Sequence, residues 1–551
     1  MAFVAATHVV EAIEDLYGEW GPTIQFPLVP VAAAVIPQTG KLLVWSSDDN
    51  MDFAGNSGIT KTATYDPTTK DVSPLTVSNT NHDMFCPGIS LDFDGQVVVT
   101  GGNSAPRTSI YDSNSNSWIS AKNLTIPRGY GSSTILSDGR IFTIGGSWSG
   151  GLGGKNGEVF NSTTESWSPL TGCPVLPMLT ADKGGVFRAD NHGWLFGWKQ
   201  GSVFQAGPSR AMNWYGTSGA GSTTPAGKRG TDSDAMCGVA VMYDAVAGKI
   251  FTAGGATSYE HAPATTNANI ITIDGAFGSV STQKINPMLE PRAFGNAVVL
   301  PDGRIFINGG QNFTTLFTDA NATMTPELWD PSTNKFSKMA TSPTPRTYHS
   351  VAILMPDATV FTGGGGLCPS NCSVNHPNGQ FWSPPYLFGR DSLVPRRPVI
   401  SSVSSKTPRV SDTITVTVTD IDDSCKSAPT FSLVRIGSAT HTVDTDQRRV
   451  PLTPGSGPDG AYTLPLPSDP GVLMPGYWYL FTLACGVPSH AQILQIRSGG
   501  SANPTSATPT TTGPGTRQTT SSSPQYTGGA AKFSGSLTAL FLALAGLLNL
   551  L

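Results

Sequence analysis

Between residues 39 and 366 one device recurs seven times: a short apolar run, usually led by a turn and closed by a glycine pair. The copies read TGKLLVWSS (39–47), DGQVVVTGG (94–102), DGRIFTIGG (138–146), NHGWLFGW (191–198), AGKIFTAGG (247–255), DGRIFINGG (302–310) and PDATVFTGGGG (356–366). They return at roughly 50-residue intervals, the period of kelch-type propeller blades. Each Asp-Gly predicts a hairpin turn, and the apolar residues after it fit an inner strand buried on both faces. Partner segments such as TYDPTTKDV (64–72), IYDSNSNSW (110–118) and LWDPSTNKF (328–336) predict hairpins on the outer side of each blade. Seven such units, each too small to stand alone, close into a ring with no long exposed edge. The mouth of the central channel is then the expected site, because loops from many blades converge there.

Composition agrees. With 62 glycines, 43 prolines and 13% charged residues in 551, the chain suits an all-β protein with many tight turns. After PRRPVISS the pattern changes to alternating β-branched residues, as in DTITVTVTD (412–420), which predicts an immunoglobulin-like sandwich. The expected organisation is a seven-bladed propeller over 20–393 and a sandwich over 394–498. A Ser/Thr/Pro-rich stalk over 499–526 and a hydrophobic tail over 527–551 follow. The net charge of -5 provides no basic stripe, so nucleic acid is not an expected partner.

The tail ends in SLTALFLALAGLLNLL behind small residues and a polar spacer, as in a GPI-attachment signal; a short tail-anchored helix is the competing reading. Residues 1–19 show neither a basic region nor an apolar core, so no signal peptide is visible there. Sequons at Asn123, Asn161, Asn312, Asn321 and Asn371 are compatible with a secreted glycoprotein held at the cell surface. In that oxidising setting Cys368 and Cys372 are expected as a disulfide, against a zinc half-site with no visible second half. Cys425 and Cys485 are a second expected pair.

Chemistry concentrates in two places. Tyr130 and Trp148 follow Cys86 by about one repeat, and Tyr348 and His349 are adjacent in PRTYHSVAIL, with His441 in GSATHTVDTDQRR. Neighbouring residues point to opposite faces of an ideal strand, so Tyr348 and His349 can serve one ion only at a strand end or bend. Two imidazoles with two phenolates form a mixed N,O set suited to Cu(II). A lone histidine is more often an ordinary core or surface residue, and Cys86 and Trp148 each have a bland packing role as well.

NHDMFCPGIS, RGYGSS, FTIGGSWSGG, DNHGWLFGW, TYHS, GGGGLC and ATHTVDTDQRR, in this order, resemble the galactose oxidase branch of the copper radical oxidases from about Trp20 to Arg497. The resemblance implies one copper per chain, held by Tyr130, Tyr348, His349 and His441. It implies a thioether between Cys86 and Tyr130 that forms a radical cofactor, with Trp148 stacked on the cross-linked ring. It further implies oxidation of a primary alcohol or carbohydrate by O2 in a monomer: Tyr348 takes the hydroxyl proton and the Tyr130 radical a hydrogen atom, and the products are an aldehyde and hydrogen peroxide. A loop of the sandwich must then thread the channel to deliver His441. Phe53, Arg188 and Phe294 match positions lining the sugar pocket. Gly184 and Glu260 stand where galactose oxidase has glutamines, and Phe187 where it has a tyrosine, so a primary alcohol is the safer substrate class than galactose itself. Aryl or aliphatic alcohols, glyoxal-type aldehydes, and a catalytically silent glycan-binding surface protein are the competing readings.

Overall fold

In the computed structural model, residues 16–55, 57–369, 372–388, 395–457 and 460–499 are described. The sequon at Asn371, the expected boundary at 393/394, the first 15 residues, and the stalk and tail beyond 499 lie outside them.

Among the described residues the first part of the chain forms seven sheets, each a run of antiparallel neighbours built on four strands. Blade 1 uses Ala32–Val35, Leu42–Trp45, Thr60–Tyr65 and Val72–Val77. Blades 2 to 6 start at Gly88, Ser132, Trp194, Val239 and Ala293, and blade 7 begins with Ser350–Leu354. The ring is closed by its own ends, since Glu19–Trp20 and Ile24–Gln25 pair with Asn378–Ser383 of blade 7.

Six of the seven runs are the second strands of their blades rather than the innermost; the exception is NHGWLFGW, whose Trp194–Gly197 is the first strand of blade 4. In blade 2, Val97–Thr100 lies between Gly88–Leu91, which faces the neighbouring blades, and Thr108–Asp112. Flanked on both edges and covered on both faces, such a strand is fully buried, which accounts for its unbroken apolar character. The outer hairpins fall where the partner segments predict them, Ser117–Ser120 against Thr108–Asp112 for example.

The glycine pairs mark where one blade's backbone meets the next. A Cβ on Gly101 would sit 2.1 Å from the Arg128 carbonyl, and one on Gly309 2.1 Å from that of Arg346. The second glycine of each pair donates its N–H to the same carbonyl, Gly102 to Arg128 at 2.9 Å and Gly310 to Arg346 at 2.8 Å. Both glycines of each pair have positive φ, so a side chain would be strained as well as blocked. Arg128, Arg292 and Arg346 return the contact from buried positions. Their guanidiniums donate to the carbonyls of Gly145, Gly309 and Gly364 at 2.7–2.9 Å. Glu158 and Glu327 neutralise the first two, and Arg346 instead uses the neutral amides of Asn378 and Gln380.

The sandwich has one sheet of Val399–Val403, Thr413–Thr419, Ala461–Pro465 and Gly455–Ser456. The other is built on Thr430–Arg435, Arg449–Leu452 and Gly476–Ala484. Thr413–Thr419 alternates as its sequence predicts, with Ile414, Val416 and Val418 inward. Gly476–Ala484 is apolar on both faces for a reason the pattern alone does not supply. Trp478 and Leu480 enter the sandwich core, whereas Tyr479, Phe481 and Leu483 pack into the core shared with blades 1, 6 and 7. Burying each such side chain contributes about 1.5–3 kcal/mol, so this one strand welds the two units. Cys368–Cys372 and Cys425–Cys485 are disulfides, and Cys86, Cys173 and Cys237 are buried thiols.

Candidate metal centre

Six blades offer an equivalent residue at the entrance of the innermost strand, and all six have left-handed backbone: Cys86 (φ 60°), Tyr130 (62°), His192 (51°), Cys237 (56°), Phe294 (62°) and His349 (69°). Neighbouring positions are tied by main-chain bonds, Tyr130 N–H to the Cys86 carbonyl at 2.8 Å and Phe294 N–H to the Cys237 carbonyl at 2.8 Å. Non-glycine residues in this region are strained by about 1–3 kcal/mol each and persist only where their surroundings dictate it. The arginine two residues before Tyr130 and Phe294, and three before His349, is part of that dictation. At His349 the left-handed turn supplies the bend that lets adjacent residues serve one point. The rings of Tyr348 and His349 lie 3.7 Å apart at 29°.

His441 reaches the same place from the sandwich. Ser438–Thr440 adds to the axial edge of blade 1, with Thr440 opposite Ala32. The rest of ATHTVDTDQRR clamps the loop inside the channel. Asp446 accepts from Arg435, Ser438 and the Leu91 N–H at 2.6–2.9 Å. Gln447 spans the Val299 N–H and the Ala297 carbonyl, and Thr445 donates to the Ser133 carbonyl.

The hydrogen bonds fix which ring nitrogens face the centre. Nδ1 of His349 donates to the Gly366 carbonyl at 2.6 Å, so Nε2 carries the lone pair; that atom is buried and has no hydrogen-bond partner. Thr440 donates its hydroxyl proton to the Val31 carbonyl and therefore accepts from His441 Nδ1 at 2.7 Å, leaving Nε2 of His441 as a second lone pair. That nitrogen lies 3.4 Å from the Cys86 sulfur, and the donor atoms of Cys86, His349 and His441 all fall within 4.8 Å of one another. The hydroxyls of Tyr130 and Tyr348 are 2.6 Å apart. Burial holds His349 down to about 3 and His441 well below its usual value, so both imidazoles are neutral. It pushes the phenols of Tyr130 and Tyr348 up. An orphaned imidazole nitrogen, a second one beside it and two phenols that resist ionisation without a cation fit a bound Cu(II), which reverses the tyrosine preference by its charge.

Cys86 and Tyr130 lie in one buried cluster. Trp148 is placed differently from expectation. Its indole meets the Tyr130 ring edge-on, 5.1 Å away at 80°, and lies closer to parallel with Phe187, at 4.9 Å and 30°. The other residues named for the pocket make these contacts. Phe53 stacks between Phe85 and Phe317, Phe294 packs on Tyr348, and Arg188 pairs with Glu260 at 2.5 Å.

Two residues absent from the sequence reading belong to the centre. Tyr259 donates to the Tyr348 hydroxyl at 3.0 Å, and His192 Nε2 reaches the Tyr259 hydroxyl at 3.1 Å. The His192 ring also stacks on His441, at 4.9 Å and 14°. His192 was findable, since it precedes a blade's first strand just as Cys86 and Tyr130 do. Tyr259 sits on a loop with no such repeat.

Comparison with known proteins follows the same lines. Residues 397–496 match the family model for the galactose oxidase-like early set domain, and 188–375 match that for the glyoxal oxidase N-terminus. A galactose oxidase of Gibberella zeae is 51% identical over 486 residues, covering 87% of this chain and 70% of the relative. An aldehyde oxidase of Arabidopsis thaliana is 24% identical over 478 residues, 78% and 74% of the two chains. Among solved structures, a fungal alcohol oxidase of the AA5 family in complex with copper superposes with a TM-score of 0.83 at 50% identity, covering 87% of this chain and 99% of that one.

Proposed function

This chain belongs to the galactose oxidase-like family, and from that premise we propose that it is a copper radical oxidase converting a primary alcohol and O2 to an aldehyde and hydrogen peroxide. The observation that carries the reading is the convergence of two neutral Nε2 lone pairs, one of them orphaned, with the hydroxyls of Tyr130 and Tyr348. His349, His441, Tyr130 and Tyr348 hold the metal. Bound copper supplies a one-electron oxidant and a Lewis acid. Tyr348 accepts the substrate's hydroxyl proton at its phenolic oxygen. Tyr130, joined to Cys86 by a thioether formed with loss of two hydrogens, takes a hydrogen atom from the carbinol carbon as its one-electron-oxidised phenoxyl radical and becomes the neutral phenol. Phe85, edge-on to His349 at 5.1 Å, and Phe317, 5.5 Å from the Tyr348 ring, keep bulk water from the centre.

Copper-loaded, oxidised protein is expected to release peroxide from primary alcohols. Peptide mass spectrometry is expected to find Cys86 and Tyr130 in one cross-linked species two hydrogens lighter than its parts. No peroxide across a panel of alcohols and aldehydes, with copper bound, would favour a silent surface protein instead. We propose further that the mature protein is a monomer and that it is GPI-anchored at the cell surface, the anchoring being supported by the composition of residues 499–551. Release from cells by a phosphatidylinositol-specific phospholipase, and a monomer mass in light scattering, test it.

A further inference from the structure

Trp148 rides on a loop with few side chains of its own to hold it. Residues 147–155 read SWSGGLGGK, and Gly150, Gly151, Gly153 and Gly154 all have positive φ. A Cβ on Gly151 or Gly154 would meet no atom within 4 Å, and Leu152 is 70% exposed, so packing inside the loop is slight. Glycines also lose the most conformational freedom on ordering. Polar anchors must therefore fix the loop. Asp190 holds Ser147, accepting from its N–H at 3.0 Å and its hydroxyl at 2.6 Å. Ser149 donates its hydroxyl to the Gly102 carbonyl at 2.6 Å. The third anchor is Lys155, a buried cation at the far end of the loop. Lysine is almost never fully buried without partners, and here the partners are main-chain oxygens. The ammonium donates to the carbonyls of Ser149 at 3.0 Å, of Gly150 at 2.9 Å and of Pro127. Pro127 lies outside the loop, three residues before Tyr130. One side chain thus closes the loop behind Trp148 and ties it to the segment that delivers the phenol. The base of the loop is fixed separately, by the Gly145 N–H donating to the Lys155 carbonyl at 2.9 Å.

Resting on the oxidase reading, we infer that Lys155 is a positioning residue: it holds the Trp148 indole at its 5.1 Å contact with the Tyr130 ring and so shields the oxidised phenol from solvent. Hydrogen bonds from a charged donor are roughly twice as strong as neutral ones, and three of them converge where the glycines supply no packing. Without Lys155 the loop keeps its ends, through Asp190 and Gly145, and loses the tie across its middle. The indole then drifts off Tyr130.

Lys155→Met keeps the length of the side chain and removes all three donors, and Lys155→Gln is a second, shorter replacement. Gly150 is exposed, so the freed carbonyls can turn to water and the variants can fold. In metal-free protein, amide hydrogen exchange over residues 147–155 is expected to quicken by about tenfold or more, the factor implied by losing a hydrogen bond to a charged group. Blades 1 and 6 should exchange as in wild type. The second measurement uses copper-loaded protein whose Cys86–Tyr130 link has been verified and whose radical has been raised with ferricyanide. Ferrocyanide then returns one electron to the phenoxyl, leaving the phenolate and ferricyanide, and loss of the radical's absorption gives the rate. Quenching is expected to be about tenfold faster in both variants, the scale seen when a group outside a metal's ligands is removed. In a Trp148→Phe background the same substitutions should change the rate little, because a residue acting through the indole has nothing left to act through. Folded variants that quench at the wild-type rate overturn the inference. So does an acceleration that persists undiminished in the Trp148→Phe background, or failure of both variants to fold, which would make Lys155 a residue of general stability. A wild type that binds copper and forms neither cross-link nor radical overturns the oxidase reading instead, and the exchange rates in metal-free protein still report whether Lys155 orders the loop.

Discussion

His349 uses one ring nitrogen to hold its own loop, through Gly366, and so presents the other to the centre. Tyr348 is set up differently, from outside. His192 hydrogen-bonds Tyr259, and Tyr259 donates to the Tyr348 oxygen. A donor on that oxygen favours its deprotonated form, opposing the burial that pushes the phenol up. Tyr259→Phe deletes the donor and preserves the ring packing. The expected result is a kcat lower by about 10- to 100-fold, the usual effect of removing a partner just outside a metal's ligands. The activity profile should also move to higher pH, because the phenol then ionises less readily. Steady-state rates against pH check this, with copper content and the Cys86–Tyr130 link measured alongside. A variant that loses turnover only in proportion to lost copper would show Tyr259 to be structural. The proposed ligands were legible as candidates because tyrosine and histidine sit in long distinctive motifs. The Tyr259 contact was not, since it depends on how a non-repeating loop folds over blade 5. Nor was the pose of Trp148, which Phe187 helps to set.

At the scale of the element, the Pro-Arg dipeptide is the device that aims the site. In PRGYG, PRAFG and PRTYH the arginine is buried and bonded to the glycine pair of its blade, two residues before Tyr130, Phe294 and Tyr348. Glu158 completes the first of these anchors, accepting from Arg128 at 3.0 Å and from the N–H groups of Thr125 and Ile126. Removing one partner of a buried ion pair leaves the other charge uncompensated and costs about 3–5 kcal/mol. Glu158→Gln is therefore expected to lower the denaturant midpoint substantially and to loosen the turn that carries Tyr130, slowing cross-link formation. A midpoint within error of wild type would mean the pair is not an anchor. The glycine pairs were legible as close-contact points. Their place on the second strand was not, because periodicity reports burial on both faces and does not say which neighbour lies nearer the axis.

Across the whole molecule, propeller and sandwich share one core and complete one site, and the burial this requires sets the protein's response to pH. Burial holds His82 down to about 4 and His192 and His349 to about 3. Their contribution is present above the unfolded value near 6.5 and is lost as pH falls through the folded values. Burial also pushes Asp83 and Asp92 up to about 7, and Asp444 to about 8. For these carboxyls the folded state binds the proton more tightly, so their contribution is present at low pH and lost as pH rises toward 7 to 8. The two sets oppose each other between about pH 4 and 6.5, and above that only the carboxyls act. Metal-free protein is thus expected to be more stable near pH 6 than near pH 8, the reverse of what depressed carboxylates would produce. Asp92→Asn isolates one term. Oδ1 of Asp92 accepts from the Asp94 and Gln96 N–H groups at 2.9 Å, a role an amide oxygen can keep while losing the titration. Thermal melts of the metal-free variant between pH 6 and 8 should fall less steeply than those of wild type. Parallel curves would show that Asp92 is already ionised in the fold and that its burial has another compensation.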